Sequence, residues 1–163
     1  MSNVKGQLDT ATGQTTKKIE AAFELQETVV RYRSEQRRGL LGAFAHDADT
    51  VAQAKERIKV LGGQFRERIE GLGALLVTEK GRAMVAEIQQ RESEWTSAND
   101  QVFGMIAKNE NGPAWALARE KANPLIDRID VLNNELLDQQ RTFLEKSRAS
   151  ADAAYNSTRL MLL

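Results

Sequence analysis

The sequence predicts an all-α protein, an antiparallel up-down-up-down four-helix bundle with long first and fourth helices. Three observations carry this. Apolar residues return every three or four positions through Val51, Ala54, Ile58, Leu61, Phe65, Leu72 and Leu76, and again through Val85, Ile88, Trp95, Val102 and Ile106. That is the period of helices packed along a narrow seam, where strands would alternate at period two. The breaks between periodic stretches are few and short, and neither a glycine-rich phosphate loop nor an alternating run separates them. Two prolines and 6% aromatic residues also suit long helices.

The first helix is expected over 4–45, with a seam of Ile19, Phe23, Val30, Leu40, Leu41 and Phe44. The run His46-Asp47-Ala48-Asp49-Thr50 ends it, and Asp49 or Thr50 is placed to cap the second helix, with Asp47 less direct. The second helix is expected over 50–77. It carries Gly62, Gly63, Gly71 and Gly73, and each glycine costs up to ~1 kcal/mol against alanine in an exposed helix interior. Glycines tolerated there imply a close neighbour or a bend. Glu79-Lys80-Gly81 separates this helix from a third over 81–109, with Trp95 in its core.

Asn109-Glu110-Asn111-Gly112-Pro113 is the strongest punctuation in the chain, because Asn and Gly accept the positive φ that stops a helix and proline suits the next first turn. The fourth helix follows over 113–160 with a seam of Ala122, Ile126, Ile129, Leu132, Leu136 and Phe143. Pro124 cannot donate to the Glu120 carbonyl and is expected to kink it. At ~1.5 Å per residue the first and fourth helices are each on the order of 60 Å long. Two such helices starting and ending at one pole, bridged by two shorter ones, bring both termini together.

The whole chain, 1–163, reads as a single domain. Lys+Arg equals Asp+Glu at 23 each, which lacks the basic excess of a nucleic-acid binder. Cysteine is absent, which excludes disulfides and thiolate chemistry. No stretch reaches the ~18 apolar residues of a membrane span, and the first 15 residues have no apolar signal core. The apolar ending Leu160-Met161-Leu162-Leu163 is read as the first turn of a membrane helix, against a tail folded on the core.

Enzymatic chemistry finds few residues to use. His46 is the only histidine, it stands in a turn with Asp47 and Asp49, and a helix cap is preferred there to a metal site. No Glu-x-x-His motif of a di-metal bundle occurs, and a nucleophilic triad would have to use that one histidine. No enzyme, metal or cofactor is therefore expected.

The most specific polar feature is Arg31, Arg33, Arg37 and Arg38. Arg33 and Arg37 share a face that extends the stripe of Ile19, Gln26 and Val30 towards Leu40 and Phe44, while Arg31 and Arg38 share the adjacent face. A charge in line with an apolar seam needs a partner or a ligand, and guanidinium forks suit carboxylates. The competing expectation is a solvated face with pairs Arg31–Glu27 and Arg38–Glu35. Trp115 and Arg119, one turn apart, can form one wall of a ligand pocket, or Trp115 can plug the bundle end.

Together these features resemble the periplasmic four-helix-bundle ligand-binding module of bacterial methyl-accepting chemotaxis receptors. The resemblance covers nearly the whole chain. It rests on Trp95-Thr96-Ser97-Ala98-Asn99-Asp100, Asn111-Gly112-Pro113-Ala114-Trp115-Ala116 and Asn123-Pro124-Leu125-Ile126-Asp127. Members similarly show an aromatic in the third helix, a short glycine turn, an alanine one turn on, and a proline before the last long heptads. Ser157-Thr158-Arg159-Leu160-Met161-Leu162-Leu163 resembles the approach to a second membrane span.

The resemblance implies a periplasmic sensor domain of an inner-membrane receptor, anchored by spans on either side. It implies a homodimer formed through the first helix, binding a small carboxylate between the first and fourth helices at the dimer interface. Aspartate-type members carry three arginines on the first helix at spacings of five and four. Arg33 and Arg38 match the first two, Gly42 stands at the third, and Arg37 or Arg119 is left to supply the missing charge. Arg119 falls where members hold a ligand-contacting residue, with Trp115 one turn before. The implied ligand set is thus Arg33, Arg37, Arg38, Trp115 and Arg119, and the implied signal is a small displacement of the fourth helix against the first. The same module on a sensor histidine kinase or cyclic-dinucleotide enzyme, or a soluble helical adaptor with no ligand, are the alternatives.

Overall fold

The computed structural model describes residues 2–161, with side chains described from 13 to 153. It is all-helical: α1 (Ser2–Phe44), α2 (Ala48–Leu75), α3 (Glu79–Ile106), α4 (Asn111–Leu117), a π-helical turn (Ala118–Ala122) and α5 (Asn123–Met161). The last three form one unbroken helical stretch, so four helical stretches share one core. Among the described residues there is no strand. The side chains of the apolar ending, Leu160-Met161-Leu162-Leu163, lie outside the described residues.

Two corners are built alike. At the end of α1 the backbone of His46 turns left-handed (φ 56°), and His46 N–H and Asp47 N–H donate to the carbonyls of Ala43 and Gly42 at 3.2 and 2.9 Å. At the end of α3 Asn109 turns the same way (φ 62°), and Asn109 N–H and Glu110 N–H donate to Ile106 and Met105 at 2.9 and 3.0 Å. Both are Schellman stops made with a residue other than glycine. The very next residue, Asp47 or Glu110, is the N-cap of the following helix. Asp47, and not Asp49 or Thr50, caps α2: its carboxylate accepts from the Thr50 N–H at 2.9 Å and the Thr50 hydroxyl at 2.7 Å. Because α2 begins at Ala48, Thr50 is the third residue of the helix and supplies the donor.

Thr78 caps α3 by accepting from Gly81 N–H at 3.1 Å. The break between α2 and α3 therefore falls before Thr78, and Glu79-Lys80-Gly81 is the first turn of α3, not the connection expected from the sequence.

The seams expected on α2, α3 and α5 are buried, apart from Val51, which is half-buried, and Phe143, which is about half exposed. On α1 most of the expectation is overturned. Leu40 is buried as expected and Ile19 is half-buried against the core, but Phe23, Val30, Leu41 and Phe44 are between 49% and 58% exposed, and the rest of the buried face is Ala22, Leu25, Val29, Tyr32 and Ala43, with Thr28 and Gln36 among them. Those polar residues are satisfied by other helices. Arg68 donates to the Thr28 hydroxyl, the Tyr32 hydroxyl to Glu92 Oε1 at 3.0 Å, and Gln36 Nε2 to Asn99 Oδ1 at 3.0 Å. Asn133 Nδ2 of α5 reaches the Ala22 carbonyl at 2.9 Å. A buried polar group with a partner is tolerated where an orphan is costly, so α1 hides a mixed face and shows a greasy one.

The centre is aromatic. Tyr32, Phe65 and Trp95, one from each of α1, α2 and α3, are fully buried, with the Tyr32 ring 4.3 Å from Trp95 and 5.7 Å from Phe65. Burying each such ring stabilises by about 1.5–3 kcal/mol. Nearer the corner, Gly39 brings α1 against α3: a Cβ there would lie 2.6 Å from Phe103 Cζ. Of the α2 glycines, Gly62 and Gly73 meet Tyr32 and Val85, whereas Gly63 and Gly71 face open space.

Candidate functional site

On α1, Arg33, Gln36, Arg37 and Leu40 stand at positions i, i+3, i+4 and i+7 and form one face. Opposite them the chain does something the sequence reading did not foresee. Ala114, Ala118, Ala122 and Ile126 are all buried and all four apart, a spacing that drifts round an ordinary α-helix of ~3.6 residues per turn. The wider π turn absorbs the drift, and Asn123 N–H bonds to the Ala118 carbonyl five residues back. Pro124, with no N–H to give, follows directly. Where a kink was expected the helix has a π turn, and the signal for it was the strict spacing of four just before a proline.

The result is a cleft of about 300 Å³ between α1 and the α4–π–α5 stretch. Arg33, Gln36, Arg37 and Leu40 line it from α1, Trp115 from α4, Ala118 and Arg119 from the π turn, and Asn123, Ile126 and Asp127 from α5. The four residues Arg33, Arg37, Trp115 and Arg119 are therefore brought together.

Arg38 is not among them. It lines a neighbouring shallow groove at the first corner, which shares only Arg37 with the cleft, donates to Gln53 Oε1 at 2.8 Å and stands 3.5 Å from Glu35. Arg31 pairs with Glu27 on the exposed face. Both pairs of the solvated-face expectation are thus formed, but they involve only the two arginines outside the cleft.

Inside the cleft the charges are unequal. Arg33 reaches Asp127 at 2.8 Å and Asp130 at 3.4 Å, and Gln26 donates to the same Asp130 at 2.6 Å. Arg33 Nε is buried with no partner. Arg37, which is exposed, forms no ion pair among the described residues, and Arg119 pairs only with its exposed neighbour Glu120 at 3.0 Å. Three guanidiniums face one lining carboxylate, Asp127. Gln36 is buried behind them and held by Asn99. Trp115, 43% exposed, stands edge-on to Phe44 with ring centres 6.1 Å apart, so its indole is wall and not plug.

Sequence reasoning missed Asp127, Gln36 and Asn123. Asp127 and Asp130 are three apart on the α5 face that meets Arg33, and that acidic pair was the available signal. His46 is exposed at its corner, and among the described residues no three acidic or histidine side chains are grouped to hold a metal. No described helix is long and apolar enough to cross a membrane. No protein-family model matches the chain, and no curated protein matches it either.

Proposed function

We propose that this chain is the extracytoplasmic ligand-binding domain of a transmembrane chemoreceptor and that it binds a small organic anion in the arginine cleft. The observation that carries the reading is the convergence of Arg33, Arg37, Trp115 and Arg119, from separate stretches of the chain, on one cleft with a surplus of positive charge. A carboxylate entering it meets two guanidiniums, Arg37 and Arg119, that no buried acid neutralises. It also competes with Asp127 for Arg33. Charge-assisted, forked hydrogen bonds are the strong ones, and Trp115 offers an aromatic face to the ligand's carbon skeleton.

The topology of the reading is up-down-up-down. Partners of rising α1 positions fall along α2 (Glu24–Arg68, Glu35–Arg57) and α5 (Gln26–Asp130, Arg33–Asp127) and rise along α3 (Tyr32–Glu92, Gln36–Asn99). The cleft lies between the first helix and the last stretch, so a ligand that favours one spacing of the two shifts the balance between them. The exposed Phe23, Val30, Leu41 and Phe44 on α1 support a second copy packed along that helix. In this reading the chain sits in the periplasm between two membrane spans and performs no catalysis. The same module can equally feed a histidine kinase or a cyclic-dinucleotide enzyme.

A second reading, a ligand-free helical adaptor, is favoured by the ion pairs that already neutralise Arg31, Arg33 and Arg38. A thermal-shift screen of dicarboxylates, amino acids and aromatic acids separates the two. At 100 Kd a ligand adds about 2.7 kcal/mol, a rise of several degrees for a chain of this size. The sensor reading requires a hit that disappears in Arg33→Ala and Arg37→Ala and survives in Arg38→Ala. A parent that responds to no acid, or a response indifferent to both cleft arginines, leaves the adaptor.

A further inference from the structure

Glu92 lies in the middle of α3 with its side chain only 5% exposed. Its contacts are one-sided. Oε1 accepts from the Tyr32 hydroxyl at 3.0 Å and the Thr96 hydroxyl at 3.1 Å, and Arg66 Nη1 stands 3.5 Å from the same oxygen. Oε2 accepts none of these bonds. Burial, then the charge of Glu92, push the Tyr32 phenol well above its ordinary range, so Tyr32 remains a hydrogen-bond donor. Arg66 is a weak counter-ion, because its side chain is 57% exposed and no hydrogen bond ties it to Glu92. A carboxylate needs its charge and lone pairs met, and here the protein supplies hydrogen bonds to Oε1 alone and leaves Oε2 to solvent.

Glu92 lines a cleft. Between α2 and α3 a cavity of about 260 Å³ is lined by Glu92, Ser93, Thr96, Glu70, Arg66 and the apolar side of Phe65 and Ile69. It shares no residue with the arginine cleft, and its charge is the reverse: two carboxylates against one loosely held guanidinium. We propose that this cavity is a second binding site, for a small organic cation whose ammonium or guanidinium donates to Glu92 Oε2, displacing Arg66, while its short carbon arm lies on Phe65 and Ile69. A divalent metal does not suit it, since among the described residues no three carboxylate or histidine groups come together, and beyond the two carboxylates and Arg66 the wall is apolar or, at Ser93, Thr96 and Gln89, neutral. The site stands independently of the anion reading, because probes of opposite charge report on each.

The test is calorimetric titration of the intact chain with n-butylammonium, benzylammonium and n-butylguanidinium. Tetramethylammonium, which has no N–H donor, and potassium chloride at equal ionic strength are the controls. Saturable binding is expected for the three donors and not for the controls. Arg66→Ala removes the resident competitor and is expected to tighten binding by about fivefold, the upper end for an exposed ion pair. It is also expected to melt lower than the parent and to recover when butylammonium is added. Glu92→Gln is expected to abolish binding. Should Glu92→Gln not fold, Arg66→Ala decides alone. No binding by either the parent or Arg66→Ala overturns the proposal, and so does binding that Glu92→Gln leaves intact.

Discussion

Replacing Tyr32 with Phe removes one oxygen atom from the centre of the protein and nothing else. The ring keeps its contacts with Trp95 and Phe65, so the packing contribution is unchanged. What is lost is the hydroxyl that donates to Glu92 Oε1 at 3.0 Å. A hydrogen bond to a charged acceptor contributes about 1.5–3 kcal/mol. Glu92 keeps Thr96 and the outlying Arg66, which places the expected loss near 2 kcal/mol in that range. For a chain of this length each kcal/mol moves Tm by about 2–4 °C, so Tyr32→Phe is expected to melt several degrees lower. In urea its midpoint falls with an unchanged slope, since no additional surface is exposed.

The pH dependence is a second signature. The Tyr32 pKa is raised above its ordinary 10.0 in the folded protein, so the native state prefers the protonated form. The resulting stability is complete below pH 10 and is lost as pH rises beyond it. Tyr32→Phe therefore flattens the alkaline limb of the stability profile. A variant within about 0.5 kcal/mol of the parent, or one retaining the parent's alkaline limb, refutes the account of Glu92 as a carboxylate held by this phenol.

Three further outcomes are expected. Gly39→Ala forces a methyl to 2.6 Å from the tip of Phe103; overpacking of this kind costs about 1–3 kcal/mol, only partly offset by up to ~1 kcal/mol of helix propensity, and urea unfolding reads the net loss. His46→Gly relieves a left-handed backbone (φ 56°) that disfavours a side chain, and a gain of about 0.5 kcal/mol is expected from the same measurement. Glu87 accepts from Arg128 Nε at 2.9 Å and Nη2 at 3.2 Å, and that hydrogen bonding holds its carboxyl below the ordinary 4.5. Its contribution is present above that value and is lost as pH falls through the lower folded one; Tm measured from pH 5 downward in the parent and Glu87→Gln should converge in acid.

Much of the fold could be read directly from residue order. The seams Ala54 to Leu76, Val85 to Ile106 and Ala122 to Leu136 are buried as their period requires, with Val51 half-buried at the start of the first. The failure on α1 has a definite cause. Phe23, Val30 and Phe44 repeat in heptads and outweigh Thr28 and Gln36 on any hydrophobicity count, yet the latter are the buried ones because Arg68 and Asn99 reach across to them. A partner supplied by another helix leaves no trace in local periodicity. Arg33 and Arg37 stood out as charges in line with an apolar stripe, and Trp115 and Arg119 as an aromatic and a guanidinium one turn apart; all four line one cleft. Arg38 was included through family spacing, but one residue is about 100° of helix, and that step carries it to Gln53. Asp127 went unnoticed because an acid at a cationic site is visible only once α5 lies beside α1.

The two matched corners are also tied to each other. Asn111 Nδ2, at the start of α4, donates to the Ala43 carbonyl at the end of α1, 2.9 Å away. That bond fastens the start of the last stretch to the end of the first, so neither can slide there without breaking it. Below the fastening, the first compliant place is the five-residue loosened coil from Ala118 to Ala122, which can tighten by passing one residue along the chain and needs no melting to do so. An axial load on α5 would be taken up at this slack segment, which carries Arg119 itself, and the long rod beyond it would move as one piece.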